Sequence, residues 1–379
     1  MSVPKQVDAS GRLRVPERWH GPLSAGLALC GIAMLALFVG IWQASSGWGY
    51  DFRAYYSAAE RLITSGTPYQ EATLGGPFRP GPGGLYLYSP LLAVLLQPLT
   101  ALPFADATWL WLGLRLALLV AACALMPVAL PVRLAALGLA GLITPTLDDL
   151  NLGNVSLIVT ALSVVAWRSL DRPVGAMAAA AAVLLRPTMG LLLLWWAIRG
   201  RLPSLSVAII SLVGLGALTL PFVGTGGWLD YLTVLRNTSD VTGVYRNFDI
   251  GSLALNLGAS PVVAGAAIAL AGGLAITAVL VSLRRDRELS FVVVIGASLV
   301  LSPLLWNHYL TQLLIPAAFL ASRGRWWGLA LPMLTWLPHE LLGLVALLAT
   351  VAPLAAPDRG LPALVRPAWL RRQPAAGAG

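Results

Sequence analysis

Apolar stretches separated by short polar segments recur along this chain from residue 22 to residue 352. Many are close to the roughly 20 residues that a helix needs to cross the hydrocarbon core of a bilayer. The pattern therefore predicts an all-α, polytopic membrane protein. The first candidate span is 22–41, and the others are 107–127, 132–147, 153–168, 174–185, 188–199, 203–222, 262–283, 290–304, 306–322, 326–337 and 341–352.

Basic clusters between these stretches predict their orientation, because cytoplasmic loops carry an excess of Lys and Arg. Counting from the clusters favours twelve transmembrane helices with both termini in the cytoplasm. The count requires segment 86–103 to lie at the outer face or dip into it; alternatively, it crosses and another weak segment does not. The residues expected in the cytoplasm are Lys5, Arg12, Arg14, Arg18, Arg168, Arg172, Arg199, Arg201, Arg284, Arg285, Arg287, Arg323, Arg325, Arg366, Arg371 and Arg372.

The chain is interpreted as one membrane domain with two tails. A cytoplasmic N-terminal tail covers 1–21, and the transmembrane domain covers 22–352. Within it, 44–106 forms the first extracytoplasmic loop, which is expected to carry juxtamembrane helices. A cytoplasmic C-terminal tail covers 353–379.

Composition supports membrane insertion and narrows the class of function. Hydrophobic residues make up 58% of the chain and charged residues only 11%, which is too little charge for the surface of a soluble domain of this length. The net charge of +9 is divided among short clusters, so no nucleic-acid partner is expected. The three His and two Cys lack metal-ligand spacing. No metal or cofactor is expected, although Asp51 with Asp148 or Asp149 could share an ion.

Asp51 is the first acidic residue after the first span, and the sequence that follows it, 52–65, has a helical pattern. The apolar members of that pattern are Phe52, Tyr55, Tyr56, Ala59 and Leu62. Such a helix suits the membrane interface, with tyrosines at headgroup level. At its start, Asp51 is expected to be the N-cap residue. Capping and catalysis are both open for this carboxylate.

Arg186 and His308 are the other polar residues expected at the outer face. Arg186 interrupts an apolar stretch beside Pro187, which breaks the helix. Its guanidinium either reaches the headgroups or binds a phosphate. His308 follows Trp306 and Asn307 at a break after Pro303, where the segment either forms an interfacial belt or contributes to a site.

Two further segments are expected on this face. The segment 148–156 contains Asp148, Asp149, Asn151 and Asn154 and is interpreted as a tight turn that either caps a helical hairpin or contacts a ligand. The predicted loop 223–261 is long enough to cover a pocket.

Together these residues suggest chemistry on a lipid-linked phosphate ester. Arg186 would hold the phosphate, and Asp51 would be the general base that deprotonates an acceptor hydroxyl. A single base suits an inverting transfer, because a phosphate is already a good leaving group. A hydrolase of the usual glycosidase type would require two opposed carboxylates.

The order and spacing of several motifs resemble glycosyltransferase family 87 of the GT-C superfamily, also called DUF2029. That family includes polyprenyl-phosphate-mannose-dependent α-mannosyltransferases. The motifs are YYSAAERLITSGTPY after Asp51, YSPLLAVLLQPLTALP, NLGNVSLIV, LLRPTMGLLLL followed by RGR, and SPLLWNHYLTQLLIP.

The resemblance implies that Asp51 is the catalytic base, that 52–65 and 86–103 are juxtamembrane helices, and that His308 lies in the site. Arg186 matches a basic position that precedes a proline. Two segments depart from the family pattern. Gly-Asn-Val-Ser stands at 153–156 instead of Gly-Gln-x-Asn, and Asp-Ile-Gly-Ser-Leu stands at 249–253 instead of a segment with Asn-Gln-Ser-Leu. The departures leave the acceptor and the sugar open.

We therefore expect an inverting transferase that moves mannose from a polyprenyl phosphate to a glycolipid or cell-envelope glycan, forming an α-linkage outside the plasma membrane. One alternative is transfer of arabinofuranose or another sugar from the same donor class. A second is a transporter or flippase, for which inverted repeats would be expected. The expected catalytic residues are Asp51 and His308, the expected phosphate ligand is Arg186, and the candidate substrate contacts are Tyr55, Tyr56, Asn154, Trp306, Asn307 and Arg246.

Overall fold

The structure is a computed structural model that describes residues 17–44, 48–76, 78, 84–239, 241–244 and 246–357. All regular secondary structure within these residues is helical, which confirms the predicted all-α class. Most of the predicted tail 1–21 and most of the predicted tail 353–379 lie outside the described residues.

The helices are mostly short and are joined by tight connections. In chain order they are α1 Glu17–Trp42, α2 Tyr50–Ser65, α3 Glu71–Leu74, α4 Pro90–Leu96, α5 Phe104–Leu125, α6 Leu130–Ala140, α7 Thr144–Leu152, α8 Ser156–Arg168, α9 Pro173–Leu185, α10 Leu191–Ile198, α11 Leu202–Ala217, α12 Leu220–Asn237, α13 Ile250–Asn256, α14 Pro261–Ser282, α15 Arg287–Val300, α16 Leu314–Ser322 and α17 Leu342–Val351. Segments of 3₁₀ helix cover Gln97–Ala101, Pro187–Gly190, Asn307–Leu313, Trp326–Ala330, Pro332–Trp336, His339–Leu341 and Ala352–Ala355.

In the part of the chain that the structure describes, three helices are long and apolar enough to cross a bilayer by themselves: His20–Trp42 within α1, α5 and α14. The number rises to five if two bent pairs each form one span. These are α6 with α7, bent by 60°, and α11 with α12, bent by 106°. Several shorter apolar helices accompany them, which indicates membrane association. The number of spans, predicted to be twelve, stays a prediction.

The predicted outer loop 223–261 is wrong as a loop, because most of it is helical. α12 runs to Asn237, and α13 adds Ile250–Asn256. The chain changes direction within α12 at Gly224, whose φ of 59° lies in the left-handed region. The apolar pattern suggested one span ending near residue 222, whereas the glycine lets the helix turn and continue.

The two ends of α15 have different surroundings. Near its first residue, Asp171 pairs with Arg287 and lies 4.0 Å from Arg201. Arg323 pairs with Asp286 at 3.0 Å and with Glu288 at 3.1 Å. Four connections that carry basic clusters thus meet at the first residues of α15: those before α9, α11 and α15, and the one after α16. Helix α15 is about 21 Å long at 1.5 Å per residue. Beyond its other end, at 301–308, lies the candidate site.

Candidate active site

A cavity of about 210 Å³ lies where α2, the end of α7 and the segment after α15 meet. Its wall combines carboxylates, histidines, amides and aromatic rings. The lining residues are Tyr50, Asp51, Tyr55, Phe78, Gly84, Leu85, Leu87, Tyr88, Asp148, Leu152, Asn154, Arg246, Phe248, Trp306, Asn307, His308 and His339. Polar groups from segments far apart in sequence therefore converge on one space.

Asp51 lies in the first turn of α2 and is not its N-cap residue, which corrects the prediction. The N-cap is Gly49, at a φ of 70°. Glycine adopts this left-handed backbone without a Cβ clash, so the helix starts one residue before Asp51. The carboxylate is thereby available for side-chain contacts at the cavity wall.

Helix α2 itself follows the predicted pattern. Its face of Phe52, Tyr55, Tyr56, Ala59 and Leu62 is buried. The tyrosines are buried against the protein, however, and not placed at a surface: the Tyr55 side chain is 1% exposed. Tyr56 donates its hydroxyl to the Leu102 carbonyl at 2.8 Å and does not line the cavity.

The start of α2 is fixed against the α7–α8 turn. The Gly49 N–H donates to the Asn151 carbonyl at 2.8 Å. Gly153 ends α7 at a φ of 84°, and a Cβ there would lie 2.6 Å from the Cβ of Phe52. Trp111 of α5 donates its indole N–H to the Gly153 carbonyl at 2.8 Å. Only glycine allows both this turn and this close approach.

The Asp51 carboxylate accepts a hydrogen bond from Asn154 Nδ2 at 2.8 Å through its Oδ2 atom. No ion pair joins Asp51 to any basic side chain of the described residues. Burial raises the pKa of Asp51 above its ordinary value of 3.8, while nearby His308 and the Asn154 hydrogen bond act in the opposite direction. Burial therefore makes this carboxylate a stronger base than an exposed aspartate, and the two contacts limit the rise.

Asn154 connects Asp51 to two tyrosines. Its Nδ2 atom also lies 3.0 Å from the Tyr55 hydroxyl and 3.2 Å from the Tyr88 hydroxyl, and these two hydroxyls are 3.1 Å apart. Asn154 is 1% exposed. Its amide is therefore occupied mainly by contacts within the protein.

Asp149, next to Asp148, has a different role. It lies with Asp148 and Asn151 inside α7, so the tight turn predicted for 148–156 is limited to the residues after Leu152. Its carboxylate pairs with Arg115 at 3.3 Å and accepts from the Ser156 N–H at 2.9 Å, which caps α8. Both partners of the pair are fully buried. The segment 148–156 was expected either to cap a helical hairpin or to contact a ligand, and Asp149 has the capping role.

His308 lies in the cavity wall and is 3% exposed. Its Nδ1 atom is 3.6 Å from Asp148 Oδ2, which is beyond hydrogen-bonding distance. Neither ring nitrogen has a hydrogen-bond partner in the described part of the chain. A buried imidazole without a partner is expected to meet a ligand.

Arg246 and Phe248 line the cavity, in a segment, 246–249, in which Arg246 has a φ of 65°. Asn247 anchors the segment beneath it: its amide donates to the Pro303 carbonyl and accepts from the Leu305 N–H at 2.9 Å. The exposed Arg246 side chain is thereby placed at the rim, near Tyr50.

Arg186 is buried and does not line the cavity. Its Nη2 donates to Ser156 Oγ at 2.6 Å and its Nη1 to Gln312 Oε1 at 3.3 Å. The guanidinium carbon lies 3.7 Å from the centre of the Tyr309 ring. It therefore neither extends toward an exterior surface nor faces the space that Asp51 faces.

Comparison with known proteins identifies the class of enzyme. The family model for glycosyltransferase family 87 matches residues 86–305, more than half of the chain. The chain belongs to glycosyltransferase family 87. The range that matches the GT87 model contains Asn154, Arg186 and Arg246, whereas Asp51 and His308 lie outside it. Comparisons with curated proteins and with solved structures give no match.

In this GT87 protein the structure brings together most of the residues predicted for the site. Those that line the cavity are Asp51, His308, Tyr55, Asn154, Trp306, Asn307 and Arg246. Tyr56 and Arg186 do not line it. Among the described residues, no group of three or more His, Cys, Asp or Glu side chains is arranged to hold a metal ion.

The residues expected at the site from the sequence did not include Tyr50, Tyr88, Asp148 or His339. Tyr50 directly precedes Asp51, and the alternation of LYLYSP at 85–90 could have indicated Tyr88. Tyr50 and Tyr88 line the same cavity because the segment before α4 folds back onto α2. No local sequence pattern predicts this arrangement.

Proposed function

We propose that this GT87 protein transfers mannose from a polyprenyl phosphate to a hydroxyl of a glycolipid or cell-envelope glycan. The observation that carries the proposal is a carboxylate, Asp51, in the wall of a 210 Å³ cavity, bonded to an amide and not neutralised by an arginine. A carboxylate that formed an ion pair would be a weaker base. Family membership favours glycosyl transfer over the transporter alternative.

In the proposed reaction the acceptor oxygen attacks C1 of the β-linked sugar. The new C1–O bond forms as the bond from C1 to the phosphate oxygen breaks, so the configuration inverts to α. Asp51 takes the proton of the acceptor hydroxyl. The electron pair of the broken bond leaves on the phosphate, and the products are an α-mannoside and the polyprenyl phosphate.

His308 and Arg246 are placed to meet the donor phosphate. Arg246 lines the cavity, and His308 presents ring nitrogens there that have no hydrogen-bond partner among the described residues. Arginine binds phosphate through a planar pair of donors. Arg186, the sequence-based choice for this role, would contact a phosphate only if the donor reached beyond the cavity that Asp51 lines.

The same proposal places the cavity outside the plasma membrane and both termini in the cytoplasm. Its support is the separation along α15. Basic clusters gather at the first residues of this helix, and the cavity lies beyond its last. Basic clusters favour the cytoplasmic side, and a twelve-span arrangement would fit this division.

Product analysis with a set of donors tests the function. Purified protein is incubated with a lipid extract of the source organism and with polyprenyl-phosphate mannose, polyprenyl-phosphate arabinofuranose or GDP-mannose. We expect mannose transfer from the first donor alone, seen by mass spectrometry, with an α-linkage seen by NMR. Transfer from the arabinofuranosyl donor alone would replace the sugar, and transfer from GDP-mannose would overturn the donor class.

A further inference from the structure

We propose that Asn154 and Ser156 are positioning residues that orient the Asp51 carboxylate, and that the buried Arg186 acts on the catalytic base through them. The inference rests on the proposed role of Asp51. It gives Asn154 and Arg186 functions other than the substrate contacts expected from the sequence.

A series of hydrogen bonds links Arg186, Ser156, Asn154 and Asp51. The chemistry of the donor and acceptor groups fixes the direction of each bond. A guanidinium can only donate, so Ser156 Oγ accepts from Arg186 Nη2 at 2.6 Å. The Ser156 hydroxyl then gives its proton to Asn154 Oδ1 at 3.0 Å. The Ser156 N–H also donates to Asn154 Oδ1, at 3.1 Å. With its oxygen held on this side, the amide must turn its NH₂ group toward Asp51.

Arg186 has an unusual environment for a buried cation. No described carboxylate pairs with it, and its hydrogen-bond partners Ser156 and Gln312 are neutral. The Tyr309 ring faces the guanidinium at 3.7 Å, but a buried charge with no carboxylate partner is still costly and points to a functional role. The positive charge of Arg186 polarises the Ser156 hydroxyl and the Asn154 amide. This polarisation favours a negative charge at the other end of the hydrogen-bond series, on Asp51.

This series of hydrogen bonds should therefore affect how readily Asp51 ionises. Hydrogen bonds to the charged form of an acid favour that form. Without the Asn154 donor, the acidic limb of kcat/KM, which reports the free enzyme's essential base, should move to higher pH. The other titratable or charged groups that face Asp51 are Tyr50, Tyr55, Tyr88, Arg115, Asp148, Arg246, His308, Tyr309 and His339, and the variants below leave all of them in place.

The test is the pH profile of mannosyl transfer from polyprenyl-phosphate mannose by the full chain. Asn154→Ala should move the acidic limb up by about one pH unit, the size expected for losing a hydrogen bond to a charged group. Ser156→Ala should move it in the same direction by less, because the amide loses only its orientation. Ser298→Ala is the matched control: this serine is equally buried, and its hydroxyl donates to the Ile295 carbonyl, lies 3.6 Å from Met189 Sδ and has no hydrogen bond to Ser156 or Asn154.

A raised donor KM with an unmoved limb in Asn154→Ala would overturn the inference and make Asn154 a substrate contact. An unmoved acidic limb in Ser156→Ala would show that Ser156 and Arg186 do not act on Asp51. If one variant does not fold, the other decides. Failure of the proposed function is distinguishable: the wild type would then give no mannosyl transfer, or Asp51→Asn would keep its activity, whereas failure of this inference alone leaves the wild type active and Asp51→Asn inactive.

Discussion

The two ends of α15 hold acidic residues in opposite ways. At the first residues, Asp286 and Glu288 bond to the Arg323 guanidinium, and Asp171 pairs with Arg287. Beyond the last residues, Asp51 bonds to an amide, and Asp148 lies 3.6 Å from a histidine. One end compensates its carboxylates with arginines, and the other leaves two carboxylates on a cavity.

The difference separates structural from functional charge. Carboxylates held by arginines stabilise the connections between helices. The Asp51 carboxylate is held by an amide without an arginine partner, and burial raises its pKa while this hydrogen bond acts in the opposite direction. The cavity end also has one structural pair, Arg115 with Asp149, and that pair lies behind the wall and not in it.

The largest expected effect tests this separation directly. Asp51→Asn should lower mannosyl transfer by about 10²- to 10⁴-fold, the contribution of a general base, with an unchanged melting temperature. Asp286→Asn at the other end should keep its transfer rate and melt at a lower temperature, because Arg323 loses a charged partner. Equal loss of activity in both variants would break the comparison.

The second effect concerns the buried pair. Arg115→Met should lower the free energy of unfolding by about 3–5 kcal/mol, because it leaves Asp149 buried without its partner. The partly exposed Arg287, paired with the half-exposed Asp171, provides the control, since Arg287→Met should cost at most about 1 kcal/mol. Thermal or denaturant unfolding in detergent measures both. Similar losses of unfolding free energy in both variants would show that the pair of Arg115 and Asp149 contributes no more to stability than a surface ion pair.

The third effect is the pH dependence of the wild-type protein. Asp51 must be ionised to accept a proton, and burial raises its pKa above 3.8. Transfer should therefore decrease as the pH falls through this raised pKa, by about tenfold for each pH unit below it. A rate that stays constant down to the range of an exposed aspartate would contradict the burial of the base.

The smallest effect concerns Asp171, whose side chain is 50% exposed. Asp171→Asn should change the free energy of unfolding by about 0–1 kcal/mol and leave transfer unchanged. Exposed ion pairs are weakened by salt, so the difference from wild type should shrink as ionic strength rises. A loss that persists in high salt would mean that this end is more than a solvated cluster.

The sequence predicted what depends on local pattern. The buried face of α2 follows helical spacing, and the helix breaks at Pro187 and Pro303 follow the chemistry of proline. The order of polar segments was enough to indicate that Asp51 and His308 share a site. Both residues line the cavity.

Long-range partners could not be predicted. Arg115 and Asp149 are 34 residues apart, and nothing local distinguishes Asp149 from the adjacent Asp148, which faces the cavity. The start of α2 depended on Gly49, whose left-handed backbone moved Asp51 from the cap into the first turn. Arg186 was assigned to a phosphate because its sequence context gave no sign of Ser156 and Gln312.

A structure of the protein with bound polyprenyl-phosphate mannose, or with the polyprenyl phosphate product, tests the central claim most directly. We predict that the phosphate lies in the cavity within hydrogen-bonding distance of His308 or Arg246, and that the sugar C1 lies on the side of Asp51. A phosphate bound to Arg186, with the sugar away from Asp51, would contradict both the proposed site and the positioning role.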